Sequence, residues 1–386
     1  MNTQTKIAFV HDRLYYIAGA ERVFFDIIRD TLSKNNNKAV QYKIFTMFSD
    51  KKELYIDGAT IPIISALPRR IFALFVFFDK HKVRGLSKLL DYRNLMFWYP
   101  ILIRILQRKI KHYQANEIII SSFAVAKNVA DASGKIPTIL YAQSPFMYIH
   151  NHYLSNLSKL RSPIRQIYQF ARSYLLPRDL KPRIYHHIYT NSHYTSKLIQ
   201  DIYGLSSTVQ YPKLDPVFFD YPGYDTRSDY FIFVGRLVTF SKSVDIIINA
   251  FNHTRHVLKI IGAGPDEQYL RSIANSNIEF LGWIDDPRER CEIIGKAKGL
   301  VNITLESFGY VTAESLCLGT PVIGYNQGAT PELVQDKDNG ILVDTQTVDN
   351  LVGVTQDMSQ QERDHKTIAR DAKDMFDKSD LCFEIR

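Results

Sequence analysis

Two glutamates eight residues apart, Glu306 and Glu314, bracket Ser307-Phe308-Gly309-Tyr310-Val311. The run before them, Leu300–Leu305, is apolar and rich in β-branched residues, the profile of a buried parallel strand. Val311–Leu318 reads as a helix, stopped by Gly319 ahead of Pro321. Glu306 therefore falls at a strand's carboxyl end, Phe308 and Gly309 in the turn, and Glu314 in the first turns of the helix. That edge of an open α/β sheet is where ligands bind. A carboxylate there accepts hydrogen bonds from hydroxyls, and the free N–H groups of the turn favour an oxygen-rich or anionic ligand. Sugar hydroxyls and phosphate suit both. A strand–turn–helix with a capping acid would look the same in isolation, so the surrounding residues decide.

Those residues include two cations. Tyr230–Val234 reads as a strand, followed by Gly235-Arg236-Leu237, then Lys242 and Asp245 leading into a helix over Val244–Asn252. Arg236 by its fork and Lys242 as a point charge suit a diphosphate. Leu258–Ile261 is the next strand and runs into Gly262-Ala-Gly264-Pro265. This run lacks the third glycine and the ribose-binding acid of a dinucleotide fingerprint. In the first half, Lys6–Val10 reads as a strand with His11 and Asp12 at its carboxyl end. A loop ending in Ala18-Gly19-Ala20-Glu21 then leads into a helix over Glu21–Leu32, leaving room for a phosphate at its N-terminus. Gln143 lies just past a strand at Thr138–Tyr141.

Strands alternating with helices predict parallel, doubly wound sheets. With 386 residues, two domains are expected. The Pro- and Asp-rich stretch 211–229 reads as the linker, which gives residues 1–215, residues 216–365 and a tail, 366–386. Charge divides the same way: residues 1–215 carry a net +17 and residues 216–386 a net −9. Within the first, residues 60–112 hold eleven Lys or Arg against Asp79 and Asp91, mixed with the apolar run Ile71–Phe78 and the cluster Met96–Tyr99. That mixture suits an anionic membrane surface; buried helices with basic outer faces are the bland alternative. No nucleic-acid motif is present, so nucleic acid is not expected as a partner. Cys291, Cys317 and Cys382 form neither a disulfide framework nor a metal set. Neither a signal peptide nor a spanning helix is read.

The ordered set resembles the retaining GT-B glycosyltransferases of family 4, in particular WbaZ-like mannosyltransferases of surface-polysaccharide assembly. It runs through Val10-His-Asp12, Ala18-Gly-Ala-Glu21, Asn191-Ser192, Tyr211-Pro212, Val234-Gly-Arg-Leu237 with Lys242, Ile261–Pro265, Phe280–Gly282, Glu306-x-Phe-Gly309 through Glu314, Gly319–Val322 and Gly328–Glu332. The resemblance implies two Rossmann-like domains facing across a cleft. It implies that Arg236 and Lys242 bind the donor diphosphate, Glu306 holds sugar hydroxyls, and Glu314 binds the ribose. Phe308, Gly309, Tyr310 and Val311 would present backbone amides, with Gly264 lining the same site. Gly19 and Ala20 would close over the phosphate, and Asp12 and Gln143 would stand with Glu306, Arg236 and Lys242 in the catalytic set. The tail helix would return to the first domain.

Three positions depart from the family's pattern: Gln143 stands where histidine is frequent, the Gly235–Lys242 spacing is one longer, and Ala18 replaces a glycine. The implied activity moves a hexosyl group from a nucleotide-diphosphate sugar, GDP-mannose first, to a lipid-linked or polysaccharide acceptor at the inner face of the cytoplasmic membrane. No metal and no cofactor are expected, and the oligomeric state is open. A sugar-nucleotide epimerase, with His11 and Asp12 as its acid and base, is one rival reading, and a non-catalytic assembly scaffold is another.

Overall fold

The computed structural model describes residues 4–15, 17–35, 39–81, 95, 97–147, 149–150, 162–221 and 227–377. Part of the helix expected over roughly 83–113, Met96, part of the basic, Tyr- and Pro-rich stretch 151–187 expected to lie outside the sheet, part of the linker and the last residues of the tail lie outside the described residues. The chain divides between Gln210 and Tyr211, a few residues before the boundary expected from composition.

The first unit carries β1 (Thr5–Leu14), β2 (Val40–Ser49), β3 (Glu53–Ile56), β4 (Ala59–Ser65), β5 (Glu117–Ser122), β6 (Thr138–Ala142), β7 (His187–Thr190) and β8 (Thr208–Val209). They form one sheet in the order β3-β4-β2-β1-β5-β6-β7-β8. All neighbours are parallel except β3 and β4. That hairpin turns on Asp57-Gly58, both at positive φ (46° and 82°), the backbone of a tight two-residue turn. β1 runs on past the expected end, so His11 and Asp12 lie within the strand and not beyond it. Ile71–Phe78 belongs to a helix, Arg69–His81, that the sequence reading left as an apolar run. Its Phe72 packs on Phe48 in the core, while Ile71, Leu74 and Phe77 are exposed.

The second unit carries β9 (Tyr230–Val234), β10 (Val257–Ile261), β11 (Ile278–Gly282), β12 (Gly299–Asn302), β13 (Val322–Tyr325) and β14 (Gly340–Val343). The order is β11-β10-β9-β12-β13-β14, parallel throughout. Alternate residues of each strand feed the two faces, as pleating requires. Tyr230 and Ile232 pack with Leu300, Leu316 and Val322 on one face; Phe231 and Phe233 pack with Phe251, Val301 and Ile323 on the other. The helix His365–Asp377 belongs to this unit in the described residues: Ile368, Ala372 and Phe376 join the first of these faces. Its apolar stripe is satisfied there, and the rest of the tail, expected to return to the first domain, lies outside the described residues.

One buried acid in the first unit has no compensating charge. Glu117 opens β5, is 7% exposed, and its Oε1 has no hydrogen-bond partner. Burial pushes its carboxyl up to about 7. Its folded pKa therefore lies above the unfolded one, so stability falls as pH rises from the ordinary carboxylate range to about 7, with the full penalty above that. Glu117→Gln is expected to stabilise the protein by about 1–3 kcal/mol at pH 8 and to change little at pH 4. Thermal unfolding at the two pH values checks this; an equal effect at both would refute it.

Candidate nucleotide-sugar site

In the second unit the strand order reverses between β9 and β12, and the loops leaving these neighbours carry the candidate residues. After β9, the Gly235-Arg236-Leu237 loop is fastened to the loop after β10. Gly235 N–H donates to the Ile261 carbonyl (3.0 Å) and Leu237 N–H to the Ala263 carbonyl (3.1 Å). The Asp266 N–H returns a bond to the Leu237 carbonyl (3.2 Å). Such contact demands glycine on the facing loop. A Cβ on Gly262 would sit 1.9 Å from the Gly235 oxygen, and one on Gly264 2.2 Å from the Leu237 oxygen. Gly264, expected among the ligand-binding residues, packs on the Leu237 carbonyl and sets the height of the Arg236 loop. Asp266, which sequence reasoning passed over, accepts from the Thr239 N–H (2.7 Å) and hydroxyl (2.8 Å). It anchors the short helix Thr239–Lys242 that ends on Lys242. Its place just after Gly264-Pro265 was the available signal.

After β12, Glu306 is held from behind. Its carbonyl accepts from the Ala329 N–H (2.9 Å), and a Cβ on Gly328 would lie 2.6 Å from that oxygen. Gly309 caps the helix Tyr310–Cys317 at φ 95°, a left-handed conformation that glycine adopts without strain. Asn302 on β12 donates to Thr312 on the helix (3.1 Å), fixing strand to helix. Phe308 is 3% exposed and packs among Tyr211, Tyr310 and Phe376 with ring centroids 5.1–6.0 Å apart. Its ring is a core anchor, and only its backbone is available to a ligand. Tyr310 and Val311 begin the helix, where backbone N–H groups lack intrahelical acceptors. Glu314 is 6% exposed. Burial first, and the Glu314 charge with it, push the thiols of Cys291 and Cys317 up to about 12, so neither is a nucleophile.

The two loops meet at one contact. Lys242 Nζ donates to Glu306 Oε1 at 2.6 Å, with both side chains about a quarter exposed. Arg236 stands exposed on the same β9 loop and makes no hydrogen bond or ion pair with its side chain among the described residues. Four of the sequence-derived residues, Arg236, Lys242, Glu306 and Gly309, are therefore carried by the two loops at the reversal of one sheet.

The first unit's candidates have a different character. Asp12 is 1% exposed, and its carboxylate accepts five hydrogen bonds. Val125 and Ala126 N–H reach Oδ1, both at 2.7 Å; Phe123 and Ala124 N–H reach Oδ2 at 2.8 and 3.1 Å, beside the Ser122 hydroxyl at 3.1 Å. Asp12 is an anchor for the loop after β5, and its oxygens are saturated within the unit. Asp12 was expected in the catalytic set, and with His11 as an epimerase's acid–base pair. His11, the other half, is fully buried, stacked on Phe24, with Nδ1 3.0 Å from the Ser121 carbonyl. Gln143 is 5% exposed, and its Nε2 donates to the Ala20 carbonyl (2.9 Å) and the Ser121 hydroxyl (2.7 Å). The helix Gly19–Lys34 takes in Gly19 and Ala20, starting two residues ahead of the expected Glu21. Glu21 accepts from the Ala18 N–H (2.9 Å). Burial opposes it, but His11, that amide and Arg13 bring the Glu21 carboxyl below its ordinary value.

A parallel six-stranded sheet that reverses between its first and fourth strands, with cations and an acid on the loops at the reversal, is a doubly wound α/β unit whose candidate residues lie where ligands bind in such sheets. Residues 228–360 match the protein-family model described as Glycosyl transferases group 1. A phosphatidyl-myo-inositol mannosyltransferase of Mycobacterium leprae is 31% identical over 137 residues, 31% of this chain and 34% of that protein. An uncharacterized 41.2 kDa protein in the cps region of Klebsiella pneumoniae is 27% identical over 126 residues, 32% of this chain and 35% of its own. These matches span about a third of the curated relatives' length. Among solved structures, the apo lipopolysaccharide outer core galactosyltransferase WaaB superposes at TM-score 0.59 with 17% identity, covering 97% of this chain and 96% of that one. Sucrose-phosphate synthase of Thermosynechococcus elongatus gives 0.67 with 14% identity, covering 97% and 95%. The fold is thus that of GT-B glycosyltransferases.

The anchoring role of Asp12 has a direct consequence. Asp12→Asn would turn an amide N–H₂ toward backbone donors and leave buried N–H groups unsatisfied. The expected loss is about 2–4 kcal/mol of stability. Denaturant unfolding followed through the first unit's amide hydrogen exchange measures it; unchanged protection at residues 122–127 would contradict the anchor.

Proposed function

We propose that the chain is a retaining glycosyltransferase that moves a hexosyl group from a nucleotide-diphosphate sugar to a lipid-linked or polysaccharide acceptor in surface-polysaccharide assembly. The observation that carries this reading is the Lys242–Glu306 contact of 2.6 Å beside the exposed Arg236, at the switch point of the second sheet. Arg236 and Lys242 neutralise the donor diphosphate, and Glu306 orients the sugar through its hydroxyls. Glu314 holds the ribose, and the N–H groups at Gly309, Tyr310 and Val311 face the sugar. Fixed charge at the departing diphosphate is preorganised stabilisation of the transition state. The C1–O bond to the diphosphate breaks, the acceptor oxygen bonds C1 on the same face, and a leaving phosphate oxygen takes the acceptor's proton. No protein nucleophile and no metal enter this scheme. The family match over residues 228–360 and the names of the two curated relatives support it. GDP-mannose is the first donor to test.

The test is a thermal-shift screen of nucleotide-sugars in buffer containing EDTA. A true donor should raise the Tm of the wild type, and Glu306→Ala and Lys242→Ala should each abolish most of that shift. A donor whose shift survives Glu306→Ala unchanged, or appears only with added Mn²⁺, would overturn the assignment.

The reading extends to the membrane. Ile71, Leu74 and Phe77 are 46–56% exposed on the helix Arg69–His81, and Trp98 and Ile101 are 58% and 44% exposed nearby in sequence. Their surroundings in sequence are strongly basic. No described helix is long and apolar enough to cross a membrane. This surface rests on the anionic inner face of the cytoplasmic membrane, where basic residues add about 1 kcal/mol each. Leu74→Glu with Phe77→Glu is expected to reduce co-flotation with phosphatidylglycerol vesicles at least tenfold; unaltered flotation would exclude the helix as the contact.

A further inference from the structure

The first unit contains a cavity of about 450 Å³ that the donor site does not use. It lies between the helix Tyr99–Tyr113 and the segment Leu175–Arg183, and Arg104, Arg178, Lys181 and Arg183 line it. Asp179 is the one acid among the described lining residues, and its charge is already taken. Its carboxylate contacts Lys127 Nζ at 2.5 Å and accepts from Asn128 Nδ2 (2.9 Å) and the Tyr203 hydroxyl (2.7 Å), with His150 Nε2 at 3.0 Å. Burial works against the ionised form, but Lys127, His150 and Tyr203 hold the Asp179 carboxyl well below its ordinary range.

The lining cations find no such compensation. Arg104 and Lys181 are exposed, and their side chains make no ion pair or hydrogen bond among the described residues. Arg178 donates to the Tyr174 carbonyl and lies over the Tyr174 ring at 4.0 Å. Arg183 spends Nε on the Asn128 carbonyl at 3.0 Å. Carbonyls and rings orient a guanidinium without cancelling its charge. The cavity also has an apolar wall, with Ile103, Phe146 and Leu175.

We propose that this cavity binds a phosphate ester or diphosphate. Arg104, Arg178 and Lys181, with no acid of their own, stand with Arg183 around one concavity and focus a field that suits a multiply charged anion, and arginine forks match phosphoryl oxygens. The wall accommodates whatever carbon is attached. The ligand is either an amphiphile carrying a diphosphate head or a soluble sugar phosphate. The inference rests on the first unit alone and stands whether or not the donor reading holds.

The test is calorimetric titration of the full chain carrying Arg236→Ala and Lys242→Ala, so that the second unit's cations contribute nothing. Two probes are used, octyl diphosphate below its micelle concentration and inorganic pyrophosphate. Saturable binding is expected, weakened at least tenfold by Arg104→Gln with Lys181→Gln and unaffected by Lys111→Gln, an exposed control on the same helix. Both substituted cations are exposed, and circular dichroism checks that the fold is kept. Tighter binding of octyl diphosphate identifies a lipid-linked ligand, and equal binding identifies a soluble one; each outcome upholds the site. Absence of binding by both probes at millimolar concentration, or binding indifferent to Arg104→Gln with Lys181→Gln, overturns it.

Discussion

Neighbouring strands β9 and β12 lead into loops that turn in opposite directions, and the second unit is built around holding those two loops at a fixed separation. On the β9 side the work falls to backbone. Gly262 and Gly264 allow the adjacent loop to close on Gly235 and Leu237, and Asp266 pins the residues leading to Lys242. On the β12 side it falls to Ala329 and the Phe308 ring cluster. Only with both loops braced can a lysine and a glutamate 64 residues apart meet at 2.6 Å. A side chain added at Gly262, Gly264 or Gly328 would disturb this contact without touching either charged group.

The first unit uses the corresponding edge of its sheet differently. There the polar groups at the ends of β1, β5 and β6 satisfy one another: Asp12 with the amides of residues 123–126, Gln143 with Ala20 and Ser121, His11 with Ser121. Buried polar atoms require partners, and Asp12 and Gln143 have found theirs inside the unit, while His11 Nε2 lies 3.9 Å from Glu21 Oε1. The result is a rigid platform whose free charges lie off to one side, around Arg104 and Lys181.

Much of the second unit was legible because its strands are short and mostly apolar, and β9 and β10 run directly into glycines. The helix Val244–Asn252 and the strand Gly340–Val343 fall where the pattern puts them. The group of Arg236, Lys242 and Glu306 was legible as well, since charge at successive strand ends is a linear signal. The anchoring of Asp12 was not legible, for a physical reason. A carboxylate poised for chemistry and one that ties down a loop have the same local sequence, and the donors that separate them lie some 110 residues away. The packing of Gly264 was hidden likewise, because the carbonyl beside it belongs to Leu237 on another loop. The hairpin β3–β4 was missed although Asp57-Gly58 announces it, because its strands are brief and sit at the sheet's edge.

The Lys242–Glu306 pair also bears on which anions the site admits. With no ligand, these two charges cancel, so an approaching phosphate feels little beyond Arg236. To gain Lys242 as well, it must draw the ammonium away and leave the carboxylate stranded. A bare nucleotide diphosphate offers nothing in exchange. A nucleotide sugar offers hydroxyls to the carboxylate at the moment the lysine departs. Under the proposed function, the closed pair thus acts as a toll on incomplete ligands, favouring the intact donor over its own spent product and aiding product release.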